Sequence, residues 1–414
     1  MGRKAHLHAA DLHGLGRLTI DAVTGLTDLV EAMHRNIAGK PNLLGKPPTG
    51  RTRGITGLVY RSIRGVTRLV GGSLDAVLGR LVPLFGAPGS SPEREAVLAA
   101  LNGVLGDYLE ASANPLAIPM RLRRGGHALQ MEKAALAAAF PKAGGKLLVL
   151  AHGLCMNDLQ WLRQGHDHGA ALESELGYTA VYLHYNSGRH ISTNGRDFAD
   201  LLEALTENWP VPVDELSVLG HSMGGLLARS AWHYGTEAGH DWPRRLRKLV
   251  FLGTPHHGAP LERGGNWIDT VLGASPYSAP LSRLGKIRSA GITDLRHTWL
   301  CDEDWQGRDR FARSGSHHRA LPLPQGVACY AIAATTGKQA GDMKDRLIGD
   351  GLVPLASALG CHAEHDRNLM FRQDRQWIAV GTGHLDLLCS MPVYRRIRDW
   401  LGEQPPPPTC RISP

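Results

Sequence analysis

Residues 218–225 read V-L-G-H-S-M-G-G, and no other stretch limits what this chain can fold into so tightly. The apolar residues Leu216, Val218 and Leu219 lead into Gly220, Ser222 and Gly224, which spell G-x-S-x-G, and residues 226–232 continue with helical apolar spacing. The pattern predicts a strand, a sharp turn and a helix. Glycines two before and two after the serine suit a turn so tight that a Cβ would strike neighbouring backbone, while the serine itself must adopt a strained conformation. Its hydroxyl is then held clear of the sheet.

A hydroxyl is a poor nucleophile near neutral pH. It needs a histidine base, and the histidine needs a carboxylate to fix its tautomer and stabilise the imidazolium. Downstream lie G-D-G-L-V-P at 349–354 and G-T-G-H-L-D at 381–386. Asp350 stands in the loop that leaves a predicted strand at 327–334, and His384 follows the apolar run 377–380. These residues give a triad of Ser222, Asp350 and His384, in the chain order Ser, Asp, His. Asp342 and Asp345 precede Asp350 on the same loop and are rivals for the acid.

With these motifs in order the chain resembles the α/β-hydrolase superfamily, in its bacterial lipase and esterase branch. The resemblance covers about residues 146–401. It rests on H-G-L (152–154), G-H-S-M-G-G, G-T-P-H-H-G (253–258), G-D-G-L-V-P and G-H-L-D. G-T-P-H-H-G also looks like the segment found in GPI-inositol-deacylase-like proteins, hydrolases of lipid-linked esters. The resemblance implies an oxyanion hole formed by the N–H groups of Leu154 and Met223. His152, His221 and His256 are expected to support the reacting groups from behind. The acid's context matches the family's D-G-L-V pattern, which favours Asp350. Asp386 falls where calcium-stabilised bacterial lipases bind calcium, but companion ligands cannot be assigned, and a capping or solvated carboxylate is the favoured reading. No cofactor or metal is expected.

The implied fold class is α/β, a mostly parallel sheet with helices on both faces. Strands are predicted at 146–151, 178–185, 215–219 and 246–252, separated by helical spans such as 194–208 and 223–234. A first hairpin is expected within 118–130. Adjacent histidines at 256 and 257 tempt a metal assignment, but neighbours in a turn tend to point apart. The G-H-D-H-G stretch at 165–169 reads as a polar loop near the pocket rim. From 261 to 325 the alternation lapses. Trp267, Trp299 and Trp305, several prolines and the polar run 308–319 suggest a cap or lid insertion, whose Ile268, Val271 and Leu272 would suit an acyl chain.

Residues 1–130 carry +7 of the chain's net charge of +8, so the basic character belongs to the N-terminal region. There, 18–30 and 58–70 align at an offset of forty residues, with Gly25 over Gly65 and Thr27 over Thr67, as an internal duplication of an amphipathic helix. A Pro- and Gly-broken loop at 39–53 separates them. Packing on each other or on the hydrolase is the plainer role for these helices. Arg61, Arg64, Arg68 and Arg80, opposed only by Asp75, also compose a helix that could lie on an anionic membrane or lipid surface. No nucleic-acid motif accompanies the charge.

The domain expectation is an N-terminal helical region at 1–110, a hydrolase domain at 111–402 with its insertion at 261–325, and a Pro-rich tail at 403–414. A linker at 86–92 and a helix at 92–109 precede the catalytic fold. No window has the roughly 18 apolar residues of a membrane span, and no apolar signal-peptide core opens the chain, so a soluble, cytoplasmic protein is expected, with a peripheral membrane contact as the alternative. Six sparse cysteines are read as reduced thiols, and Cys155 as a packing residue.

The expected activity is hydrolysis of carboxylic esters with short to medium acyl chains, through an acyl-serine intermediate. Aliphatic polyesters or lipid esters become accessible if the cap leaves an open groove. Two other classes fit the same residues: an acyltransferase using this triad, and a lipid-binding scaffold acting through the basic helices.

Overall fold

The computed structural model describes residues 11, 13–21, 92–258, 289–308, 321–337 and 349–403. The duplicated helices beyond residue 21, the loop at 39–53, the apolar insertion residues Trp267, Ile268, Val271 and Leu272, the rivals Asp342 and Asp345, and the Pro-rich tail after 403 lie outside the described residues. Among the described residues no helix is long and apolar enough to cross a membrane.

The chain divides into two compact units. One runs to Arg94 and includes Leu109–Ala117; the other comprises Glu95–Tyr108 and everything from Ile118 onward. In the first, residues 13–21 are helical. Asn114 donates to the Gly14 carbonyl at 3.1 Å, and Arg94 forms a paired contact with the Asp11 carboxylate. The helix predicted at 92–109 forms over Pro92–Ala111, with proline at its start, where its missing N–H costs nothing.

The second unit is built on an eight-stranded sheet in the order β2-β1-β4-β3-β5-β6-β7-β8. The strands are β1 (Arg121–Arg124), β2 (His127–Ala128), β3 (Lys146–Ala151), β4 (Thr179–His184), β5 (Glu215–His221), β6 (Leu246–Leu252), β7 (Ala328–Thr335) and β8 (Gln376–Val380). β1 and β2 form the expected hairpin, and β1 runs antiparallel to β4. Every other pairing is parallel.

The central strands are largely apolar because both faces are covered. Alternate residues sort cleanly between two cores. Val149, Val218 and Phe251 pack with Phe198 of the Ile191–Asn208 helix and Leu227 of the Met223–Glu237 helix. Leu150, Leu219 and Val250 pack on the opposite face with Leu172 of the His168–Leu176 helix and Ile397 of the Met391–Gly402 helix. This is the α/β-hydrolase fold. Register brings Ala151, Gly220 and Leu252 close to one edge, and in such sheets function gathers at the carboxyl ends of the strands.

The G-H-D-H-G stretch departs from the expected polar loop. Asp167 caps the His168–Leu176 helix through the Ala170 N–H, and His168 is fully buried, its Nε2 2.9 Å from the Leu387 carbonyl. Only the first half of the motif is turn.

Candidate active site

Ser222 joins β5 to the helix that follows it, and its φ of 54° and ψ of −122° place a non-glycine residue in strained backbone space. The glycines around it are there for lack of room. A Cβ on Gly220 would fall 2.6 Å from Gly225 Cα, and one on Gly224 would fall 2.2 Å from the Ala151 carbonyl oxygen. The Ser222 N–H donates to the Leu252 carbonyl at 2.8 Å, so the turn is fastened to the end of β6.

Asp350 and His384 reach the same edge from the loops that follow β7 and β8. His384 Nδ1 lies 2.6 Å from Asp350 Oδ2. The other carboxylate oxygen accepts the N–H groups of Leu352 and Val353, at 3.0 and 2.8 Å, so the side chain is oriented at both ends. Both residues are buried. Gly253, with φ of 55°, ends β6 directly beneath them: a Cβ there would lie 3.1 Å from both Asp350 Oδ2 and His384 Cε1. The His221 ring sits 4.7 Å from the His384 ring, and its Nε2–H donates to the His384 carbonyl at 3.1 Å. The three triad residues predicted from sequence are thus gathered at one strand edge.

The turn after β3 carries Leu154, the residue the family resemblance makes an oxyanion donor. At Gly153 a Cβ would stand 3.1 Å from Ser222 Cβ, so the turn lies against the serine. The Met223 N–H belongs to the first turn of its helix, where no intrahelical acceptor exists. The side chains of Leu154 and Met223 share one apolar cluster with Ile191, Ile292, Leu295 and Leu300. Residues 292–300 therefore pack against Leu154 and Met223.

The neighbouring histidines hold the site without being free to titrate. His152 is fully buried; its Nδ1–H donates to the Gly153 carbonyl at 2.9 Å, and its ring stacks on Tyr185. Burial pushes its pKa down to about 3. Burial also holds His221 and His256 well below the usual imidazole range. His256 packs between Phe251 and Phe371 with Nδ1 3.3 Å from Arg229, whereas His257 faces His362. The adjacent pair points to different surroundings, as expected. Burial raises the Cys155 thiol to about 12, which suits packing and not nucleophilic attack.

Asp386 is exposed, and its carboxylate accepts the Gly383 N–H at 3.1 Å, capping the turn that carries His384. Among the described residues one group could offer three ligand atoms to a cation: Glu95, Asp158 and His184, all buried. Sequence reading missed this group because its members lie far apart and match no ligand spacing. A single Arg123 nitrogen contacts both carboxylates, at 2.8 and 3.2 Å, and already supplies the compensating positive charge. It reads as a buried ionic network.

Residues 180–321 match the family described as PGAP1-like alpha/beta domain, a span that includes Ser222 and G-T-P-H-H-G. No curated protein sequence matches the chain. Among solved structures, the chain is similar to a Bacillus licheniformis lipase in mature form, at 15% identity over 61% of this chain and 91% of the other, with a TM-score of 0.39. A Pyrococcus furiosus esterase is matched at 14% identity over 63% and 82% of the two chains, TM-score 0.38. An alpha/beta hydrolase fold protein from Chitinophaga pinensis is matched at 12% over 63% and 90%, TM-score 0.38.

Proposed function

We propose that this chain is a serine ester hydrolase that cleaves carboxylic esters through an acyl-serine intermediate. The observation that carries the reading is the Asp350–His384 contact of 2.6 Å, set at the strand edge beside a serine on a strained strand-to-helix turn. Asp350 keeps the imidazole proton on Nδ1, which leaves Nε2 as the base for the Ser222 hydroxyl. Ser222 attacks the ester carbonyl, and the N–H groups of Leu154 and Met223 receive the oxyanion. His384 then protonates the departing alcohol, and water repeats the sequence on the acyl-enzyme.

Short to medium acyl chains are the proposed substrates. The resemblance of G-T-P-H-H-G at 253–258 to the segment of GPI-inositol-deacylase-like proteins supports including lipid-linked esters. The test is hydrolysis of p-nitrophenyl esters from acetate to palmitate by wild type and Ser222→Ala. Turnover lost in the variant, with the thermal melt retained, is the expected result; a rate shared equally by both proteins overturns the assignment. The chain-length optimum reports the depth of the acyl pocket.

A further inference from the structure

The turn that carries Leu154 is gripped from two sides by groups that no triad motif contains. On one side, the Cys155 N–H donates to Ser187 Oγ at 3.1 Å, with both residues buried. This bond fixes the peptide that follows Leu154. It also takes up the neighbouring N–H, which would otherwise compete for the oxyanion. On the other side, Gly103 of the Glu95–Tyr108 segment lies directly against Cys155. A Cβ there would meet Cys155 Sγ at 2.2 Å and its Cα and N at 3.0 Å. Between these contacts Cys155 is held at φ of 59°, a left-handed conformation that a side chain adopts only when its surroundings impose it.

The grip is itself anchored. Asn186 Nδ2 donates to the Gly106 carbonyl at 2.9 Å, and Asn194 Nδ2 donates to the Asn186 carbonyl at 2.8 Å. These bonds tie the Ser187 loop to the Glu95–Tyr108 segment and to the Ile191–Asn208 helix. The insertion closes the third side: a Cβ on Gly291 would fall 2.1 Å from the Ser187 carbonyl oxygen. A donor misplaced by even a fraction of an ångström loses much of its value to a developing oxyanion, because the geometry must be preset.

We propose that Ser187, acting with Gly103, is a positioning residue for the oxyanion hole, working through the Leu154–Cys155 peptide. The inference rests on the ester-hydrolase reading above. It gives the Glu95–Tyr108 segment, which lies ahead of every catalytic motif, a share in the chemistry.

The test compares full-length wild type, Ser187→Ala and Gly103→Ala on an ester and on the matching thionoester, in which sulfur replaces the carbonyl oxygen. Sulfur is a weak hydrogen-bond acceptor, so the thionoester gains little from the hole. The expected result is a loss in kcat on the ester of about 10- to 100-fold, with KM changed by less than about twofold, and a smaller loss on the thionoester. The preference for oxygen over sulfur shrinks accordingly. Affinity for a trifluoromethyl ketone, which mimics the tetrahedral oxyanion, falls in step with kcat/KM. An unchanged oxygen preference alongside a lowered thermal midpoint would show a packing contact only and overturn the proposal. Gly103→Ala decides the matter if Ser187→Ala gives no folded protein, and failure of both to fold also overturns it in favour of a structural role. Wild type that neither cleaves esters nor reacts at Ser222 with a fluorophosphonate overturns the hydrolase reading, and the positioning role with it.

Discussion

Asp350 and His384 are tied twice, once by the side-chain contact of 2.6 Å and once by the His384 N–H donating to the Asp350 carbonyl at 3.0 Å. The second bond sets the backbone that presents the first. Asp350→Asn keeps the shape but offers an amide where a carboxylate was, so the imidazole loses both its tautomer and its charge partner. A fall in kcat of about 10³- to 10⁴-fold is expected, with the thermal midpoint nearly unchanged. Steady-state kinetics beside a melting curve check it, and a loss below tenfold would point to a different acid.

His221 holds the turn that carries His384 through its bond to the His384 carbonyl. Replacing it by phenylalanine preserves bulk and leaves that buried carbonyl without its donor. The cost is expected to be about 1–3 kcal/mol in urea unfolding, with reduced turnover because the His384 loop loses its register. Full activity and unchanged stability would show that the bond contributes nothing.

Acid should unfold this protein readily. His152, His168, His221 and His256 are buried and held below the ordinary imidazole value, mainly by loss of hydration. Below pH 6.5 the unfolded chain takes up protons at these sites and the folded chain does not. Stability is therefore present above pH 6.5 and is lost as pH falls, toward about 4 for His168 and about 3 for His152. Each site contributes about 1.4 kcal/mol per pH unit across its window. Asp294, raised to about 6 by burial, acts in the opposite sense, since its folded form binds the proton more tightly. Four sites outweigh one, so the thermal midpoint should drop steeply between pH 6.5 and 5; a flat profile would contradict this account.

Lys248 fastens the last helix to the sheet. Its ammonium donates to the carbonyls of Leu401 and Glu403 at 2.7 and 2.6 Å and lies 3.5 Å from Glu215. Lys248→Met leaves the Glu215 carboxylate and two carbonyls without their cation. A loss of about 3–5 kcal/mol is expected, the cost of stranding a buried charge. Denaturant unfolding measures it, and limited proteolysis should show cleavage at the Met391–Gly402 helix before the strands.

The strands on both sides of Ser222 were legible because doubly covered parallel strands are predominantly apolar runs. β3 and β6 fall at the predicted boundaries, and the helix after Ser222 runs three residues past its predicted end, to Glu237. The meeting of Ser222, Asp350 and His384 at one strand edge was legible because a strained turn followed by D-G-L-V and G-H-L-D motifs came in a fixed order. The supporting shell was not. Ser187 is an ordinary serine in sequence, and only the close approach of Gly103 to Cys155 shows what its hydroxyl holds. Likewise Glu95, Arg123, Asp158 and His184 form one buried network from four separate elements, and polar residues carry no periodic signal of such a meeting. The second half of G-H-D-H-G was misread because two histidines and an aspartate look hydrophilic, although one histidine fills a gap in the core.

Ser222 leaves β5 in the middle of the sheet, whereas Asp350 and His384 follow β7 and β8, the last strands in both sequence and space among the described residues. A chain still being synthesised thus carries Ser222 for more than 160 residues before the His384 turn can reach it, as the separation of 163 between the bonded His221 and His384 shows. Until then the proposed base is missing from the edge where Ser222 stands. Under the proposed chemistry, nascent chains and C-terminally shortened fragments are silent toward esters, and catalytic competence is a timestamp of completed folding.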